Sequence, residues 1–214
     1  MAQFRRIGIL TSGGDAPGMN AAIRAAAREA LAGGVEVYGI LEGYQGLIDG
    51  NMKLFTSARD LGNIVNKSGT FLYSARCDEF KYPEGMAKAL KTCKDNHIDG
   101  IIAIGGDGTF RGATDLSAHG IPTIGIPGTI DNDVTSTDVT IGFDTAMNTA
   151  MNMIDNLRDT CESHARCNVI EVMGRWAGHI ALRTGIASGA SAVAIAEVPF
   201  DEEAAIQKII AQKA

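Results

Sequence analysis

Three times along this chain a short apolar run ends in a loop built from glycine and aspartate, and that repeat constrains the fold more than any other feature. Residues 7–10 lead into Thr11-Ser12-Gly13-Gly14-Asp15-Ala16-Pro17-Gly18-Met19-Asn20. Residues 101–104 lead into Gly105-Gly106-Asp107-Gly108-Thr109, and residues 122–126 into Pro127-Gly128-Thr129-Ile130-Asp131-Asn132-Asp133. Apolar runs this short, bounded by turn residues, read as strands buried on both faces. Longer amphipathic patterns follow the loops, and strand–helix alternation demands a mostly parallel sheet covered by helices.

The remaining elements fit the same scheme. Helices are expected near 20–31, closed by Gly33-Gly34, at 83–96, 110–118, 144–160, 177–187 and 202–212. Further strands are expected at 35–41, 169–173 and 192–196. The fold class is therefore α/β: three-layer α/β/α, mostly parallel sheets, in two lobes with the active site in the cleft between them. The polar run Val134-Thr135-Ser136-Thr137-Asp138 suits a crossing between lobes, giving a larger lobe at 1–138 and a smaller one at 139–214.

Composition removes several classes of function. A net charge of −6 over 214 residues offers no basic face for nucleic acid. No apolar run approaches the roughly 20 residues that span a bilayer. Met1-Ala2-Gln3-Phe4-Arg5-Arg6 lacks the apolar segment of a secretory signal, so a cytoplasmic location is expected. Cys77, Cys93, Cys161 and Cys167 form no C-x-x-C pair, and the four histidines form no metal motif.

The loops themselves point to phosphate chemistry. Glycines let a backbone approach a phosphate, and a following helix offers free N–H groups at its N-terminus. The Thr11–Asn20 stretch matches neither the P-loop nor the dinucleotide fingerprint. Asp107, between residues without bulk, suits Mg²⁺, which prefers one or two carboxylates together with phosphate oxygens. Asp131 and Asp133 at a strand end suit a base that takes a proton from an attacking hydroxyl and a neighbour that orients it. Arg76 and Arg175 add forks that match phosphate oxygens. Each loop taken singly also suits a tight turn or a helix cap.

These motifs, with Ile141-Gly142-Phe143-Asp144-Thr145-Ala146 and Glu171-Val172-Met173-Gly174-Arg175, resemble the phosphofructokinase family, specifically its bacterial ATP-dependent type, over essentially the whole chain. The resemblance implies glycolytic transfer of a phosphoryl group from ATP to the C1 hydroxyl of fructose 6-phosphate. It implies that Asp131 is the general base, that Asp133 assists it and the bound Mg²⁺, and that Asp107 acts on the Mg²⁺–ATP side. Gly14, Arg76 and Arg175 would stabilise the transferring group, and Gly106, Gly108 and Thr109 would line the ATP phosphates with Cys77 nearby. Thr129, Ile130, Asp131, Met173, Gly174 and Arg175 would contact the sugar phosphate, the larger lobe being the ATP side and the smaller one the substrate side. Arg166 is similar to an arginine lent to a neighbouring subunit's substrate, which implies a homotetramer with shared active sites. Arg24, Arg28 and Arg158 match basic effector positions, although Ser191 stands where bacterial relatives carry a glutamate. Pyrophosphate-dependent relatives typically carry aspartate at the position of Gly108 and lysine at that of Gly128, so glycine at both favours ATP. Family members continue beyond Ala214, so an incomplete chain, with both lobes short of their C-terminal part, is expected. A pyrophosphate-dependent enzyme and a catalytically silent sugar-phosphate or nucleotide-binding piece are the alternatives.

Overall fold

The computed structural model describes residues 4–213. They fall into two compact units, one of residues 4–129 with Val134–Gly142 and one of Ile130–Asp133 with residues 143–213.

The first unit holds β1 (Arg6–Thr11), α1 (Met19–Ala32), β2 (Glu36–Ile40), α2 (Gly43–Asp49), β3 (Met52–Phe55), α3 (Pro83–Asp95), β4 (Gly100–Gly105), α4 (Asp107–Ala118) and β5 (Thr123–Pro127). The strands form one sheet in the order β3-β2-β1-β4-β5. β1 runs parallel to both β2 and β4, β4 runs parallel to β5, and β3 pairs antiparallel with β2 at one edge. The chain leaves β1 toward β2 and comes back on the opposite side for β4, so strand order reverses between β1 and β4. In open α/β sheets ligands bind beyond the strand C-termini at such a reversal, and two of the three glycine–aspartate loops emerge there.

β1 is central, and its successive residues Ile9 and Leu10 are both fully buried. A strand covered on both faces reads as a continuous apolar run rather than an alternation. Leu10, Ile101 and Ala103 pack with Leu47, Phe80, Met86 and Leu116 on one side of the sheet. Ile23 and Ala27 of α1, likewise buried, contribute to the rest of the core. α1 closes as the sequence suggests: Gly34 takes φ +77°, its N–H donates to Leu31, and the Val35 N–H reaches back to Ala30. That pattern satisfies carbonyls a helix end leaves unpaired.

Three departures from the sequence expectations have physical causes. The stretch between 41 and 83 carries α2, β3 and two 3₁₀ turns at Ala58–Leu61 and Glu79–Lys81, which short, glycine-interrupted patterns do not announce. α4 begins at Asp107 rather than at 110, because the Phe110 N–H already donates to Gly106. The second unit contains α5 (Phe143–Ser163), α6 (His179–Ala187) and α7 (Glu202–Lys213), and no strand among its described residues. The expected strands at 169–173 and 192–196 do not form among the described residues. Residues 193–197 instead lie along α6: a side chain at Gly185 would strike Val193, one at Gly178 would strike Ile195, and Glu197 accepts the Gly178 N–H at 2.7 Å. Val169 is 98% exposed. A segment becomes a strand only when a neighbour takes its backbone groups, and neither has such a neighbour among the described residues, which hold one mostly parallel sheet rather than more than one.

Candidate active site

The ends of β1, β4 and β5 are tied together by a few specific bonds in the first unit. The Ser12 N–H donates to the Ile104 carbonyl (3.1 Å), and the buried Thr109 hydroxyl donates to the Ser12 carbonyl (2.9 Å). The Gly128 N–H donates to the Gly105 carbonyl (2.9 Å), which brings in the β5 loop. Gly105 has to be glycine here, because a Cβ would sit 2.6 Å from the Ser12 carbonyl oxygen and against the Thr109 hydroxyl. Gly106 lies against Thr129, whose carbonyl accepts the Gly142 N–H (3.2 Å).

Above this junction stand two helix N-termini. α1 starts from Gly18, at φ +89°, and α4 from Gly106, and neither has a side-chain cap. The first N–H groups of each helix are therefore without side-chain partners, at the positive end of a helix dipole. Side chains at Gly14 and Gly108 would meet nothing within 4 Å, so both glycines front open space. Gly128 differs: a Cβ there would lie 2.9 Å from Ile104 and 3.4 Å from Met19. Two anion-binding helix starts beside open glycines can receive a polyphosphate.

The segment carrying Arg76 is anchored to the same place. Thr11 hydrogen-bonds through its hydroxyl to Thr70 and to the Tyr73 carbonyl, both at 2.8 Å. Asn20 accepts the Phe71 N–H and donates to the Lys67 carbonyl. Arg76 itself is exposed, whereas Cys77 is half-buried against the core, where desolvation raises its thiol pKa. Cys77 is therefore a neutral packing group. Tyr44, missed in the sequence, stacks on Phe80 and donates its hydroxyl to the Thr109 carbonyl at 2.6 Å, fixing the first turn of α4. Burial, and secondly Asp115, raise its phenol pKa.

Asp107 occupies that first turn and forms an ion pair with Arg111, one helical turn on, at 2.8 Å. Among the described residues no group of three or more histidine, cysteine or acidic side chains could cage a metal. A single half-exposed carboxylate beside the open space at Gly108 fits Mg²⁺, which takes one or two carboxylates and keeps waters.

The second unit brings together Asp131, Asp133 and Arg175. Asp131 is half-buried, and its carboxyl pKa is raised, first by desolvation and then by the Asp133 charge, with Arg175 pulling the other way. Asn132 between the two acids takes φ +54°, a left-handed conformation that asparagine tolerates. Arg175 is also left-handed, at φ +56°, in a tight turn closed by the Ala177 N–H on Gly174 (2.9 Å). A carboxyl pushed toward neutrality yet steadied by a guanidinium is a proton acceptor tuned upward.

The other expected residues differ in exposure and partners. Met173 is 74% exposed next to buried Gly174, and Arg166 is exposed just beyond α5. Arg158 bonds the Ser188 carbonyl and pairs with Asp155 at 3.7 Å. Arg24 is half-buried on α1 with its Nε unpartnered, and Arg28 is exposed one turn later. Open hollows of about 450 Å³ beside Phe80, Pro83 and Met86, and about 600 Å³ beside Arg5, Glu36 and Asp99, include none of the expected site residues. No helix among the described residues is long and apolar enough to cross a membrane.

The family description "Phosphofructokinase" matches residues 6–214. The chain belongs to the phosphofructokinase family. It is 56% identical over 200 residues to the ATP-dependent 6-phosphofructokinase of Shouchella clausii (strain KSM-K16), covering 94% of this chain and 62% of that relative. The chain thus spans about three-fifths of the length of the curated phosphofructokinases it matches. Among solved structures it is similar to Pichia pastoris phosphofructokinase in the T-state, with TM-score 0.85 and 31% identity over 99% of this chain and 26% of that one. It also shares its fold with a pyrophosphate-dependent phosphofructokinase from Nitrosospira multiformis, at TM-score 0.81 and 22% identity, covering 97% of this chain and 58% of that one.

Proposed function

We propose that the protein bearing this chain is an ATP-dependent 6-phosphofructokinase, converting fructose 6-phosphate and ATP to fructose 1,6-bisphosphate and ADP in glycolysis. The observation that carries this reading is the 56% identity to an ATP-dependent 6-phosphofructokinase over 94% of this chain, and the grouping of Asp131 with Asp133 and Arg175 supports it. Asp131 takes the proton of the C1 hydroxyl as its oxygen attacks the γ-phosphorus in line; the bond to the ADP oxygen breaks and ADP leaves with the electron pair. Asp133 keeps the Asp131 pKa up, and Arg175 with Arg76 and the Gly14 N–H offsets charge on the transferring phosphoryl group. Thr129, Ile130, Met173 and Gly174 hold the sugar phosphate, and Arg166 reaches a neighbouring subunit's substrate in a homotetramer. Gly106, Gly108, Thr109 and the segment at Cys77 bind the donor, and Asp107 is the residue that would hold Mg²⁺. Held there, Mg²⁺ would supply positive charge to offset that of the donor phosphates. The lobe roles follow the same division, donor side in the first unit and sugar side in the second. A cytoplasmic location and an effector role for Arg24, Arg28 and Arg158 belong to the same reading.

ATP is favoured over pyrophosphate by the open space at Gly108 and the tight packing at Gly128, where a lysine would press on Ile104. A coupled assay with fructose 6-phosphate, Mg²⁺ and either donor separates the two, and turnover with pyrophosphate alone would overturn the donor assignment. Asp131→Ser in a protein that turns over should lower kcat by about 10²–10⁴-fold with KM nearly unchanged. An unaltered kcat would remove Asp131 as the base. Ligand-induced stabilisation without turnover by either donor would identify a silent binding piece.

A further inference from the structure

We infer that Arg111 is a positioning residue that reserves Asp107 for a metal ion arriving with a polyphosphate, an inference that rests on the donor-side reading above. Arg111 Nη2 lies 2.8 Å from Asp107 Oδ2 across one turn of α4. The two side chains are 78% and 51% exposed, and surface pairs of this kind add little to stability. The importance of the pair is occupancy. Asp107 stands beside the open space at Gly108, at a helix start with no side-chain cap, and no cluster of further ligands supports it among the described residues. Its single negative charge is already answered by a guanidinium.

A bare divalent cation reaching Asp107 must displace that guanidinium or sit next to it, and like charges at such range cost several-fold in affinity even in water. A polyphosphate reverses the balance. Its oxygens accept the planar fork of arginine, which binds phosphate bidentately. Arg111 therefore changes partner from carboxylate to phosphate as the donor enters, disfavouring the metal alone and favouring the metal–nucleotide complex. The fork also holds nucleotide that carries no metal.

Mn²⁺ titrated into the chain without nucleotide, with free ion read by electron paramagnetic resonance, tests the first half. Arg111→Met should bind Mn²⁺ about three- to tenfold more tightly than the parent chain, and adding Asp107→Asn should abolish the gain. ATP titrated calorimetrically in excess EDTA tests the second half, and Arg111→Met should bind it about three- to tenfold more weakly. Arg111→Lys, which keeps the charge, should leave Mn²⁺ affinity near the parent value. Equal affinities of the parent chain and Arg111→Met in both titrations would overturn the inference, as would a Mn²⁺ gain that survives Asp107→Asn. If the parent chain binds ATP–Mn²⁺ and Arg111→Met is indistinguishable, the donor reading stands and only the role of Arg111 falls. If the parent chain binds no ATP in any form, both fall.

Discussion

The two units of this chain contain apolar residues in similar style but use them differently. In the first, Ile9, Leu10, Ile104 and Leu116 are fully buried around a five-stranded sheet. In the second, Val169, Trp176 and Ile186 are mostly exposed, and no strand forms among the described residues. Both units carry apolar runs between helices. Only the first supplies each run with a neighbour whose N–H and C=O groups complement it. A strand is thus a property of a pair, and apolar content by itself does not make one.

That contrast is most severely tested by hydrogen exchange. Amides of Ile9, Leu10, Ile102 and Ala103 should exchange at least about a thousandfold more slowly than those of residues 169–172, because the former open only with the whole sheet. Comparable protection in both would break the distinction. Next in size, Leu10→Ala should destabilise the sheet by about 2–5 kcal/mol in chemical denaturation, whereas Val169→Ala should change it by less than about 0.5 kcal/mol. Similar losses would mean that Val169 is buried in solution.

The smallest effect concerns chemistry that survives in the poorly buried unit. Burial, then Asp133, raise the Asp131 carboxyl pKa. A base must be ionised, so kcat should rise with pH through a limb above the ordinary carboxylate range. Asp133→Asn should move that limb to lower pH, and loss of the Arg175 charge should move it to higher pH, each visible in a pH–rate profile of a protein that turns over. The same raised pKa means the folded state holds this proton more firmly than the unfolded chain. Its contribution to stability is therefore present below the unfolded pKa and declines as pH rises through the folded one.

Much of the first unit was legible because its signals are local. The runs at 7–10 and 101–104 are too short and too apolar for surface elements, and Gly33-Gly34 marks the end of α1 through backbone chirality. The loops holding Gly14, Asp107 and Asp131 were legible as loops because glycine and aspartate cluster where a strand ends in a turn. What stayed hidden depends on distant partners. β3 exists because β2 offers an edge, and Tyr44 matters because α4 offers the Thr109 carbonyl. The runs at 169–173 and 192–196 have strand composition without a strand's neighbour. The i,i+4 spacing of Asp107 and Arg111 was the available clue to their ion pair, and it was overshadowed by the glycines around it.

One bond in the first unit has a thermodynamic corollary. The Thr109 hydroxyl bonds the Ser12 carbonyl, so the loop after β1 is tied to the first turn of α4 with no anion needed to hold them. An anion spanning them has little loop disorder left to freeze, and its binding should show a small conformational-entropy loss in calorimetry. Thr109→Val, which keeps the shape and removes the clasp, would return that freedom to the free state and weaken the anion mainly through entropy.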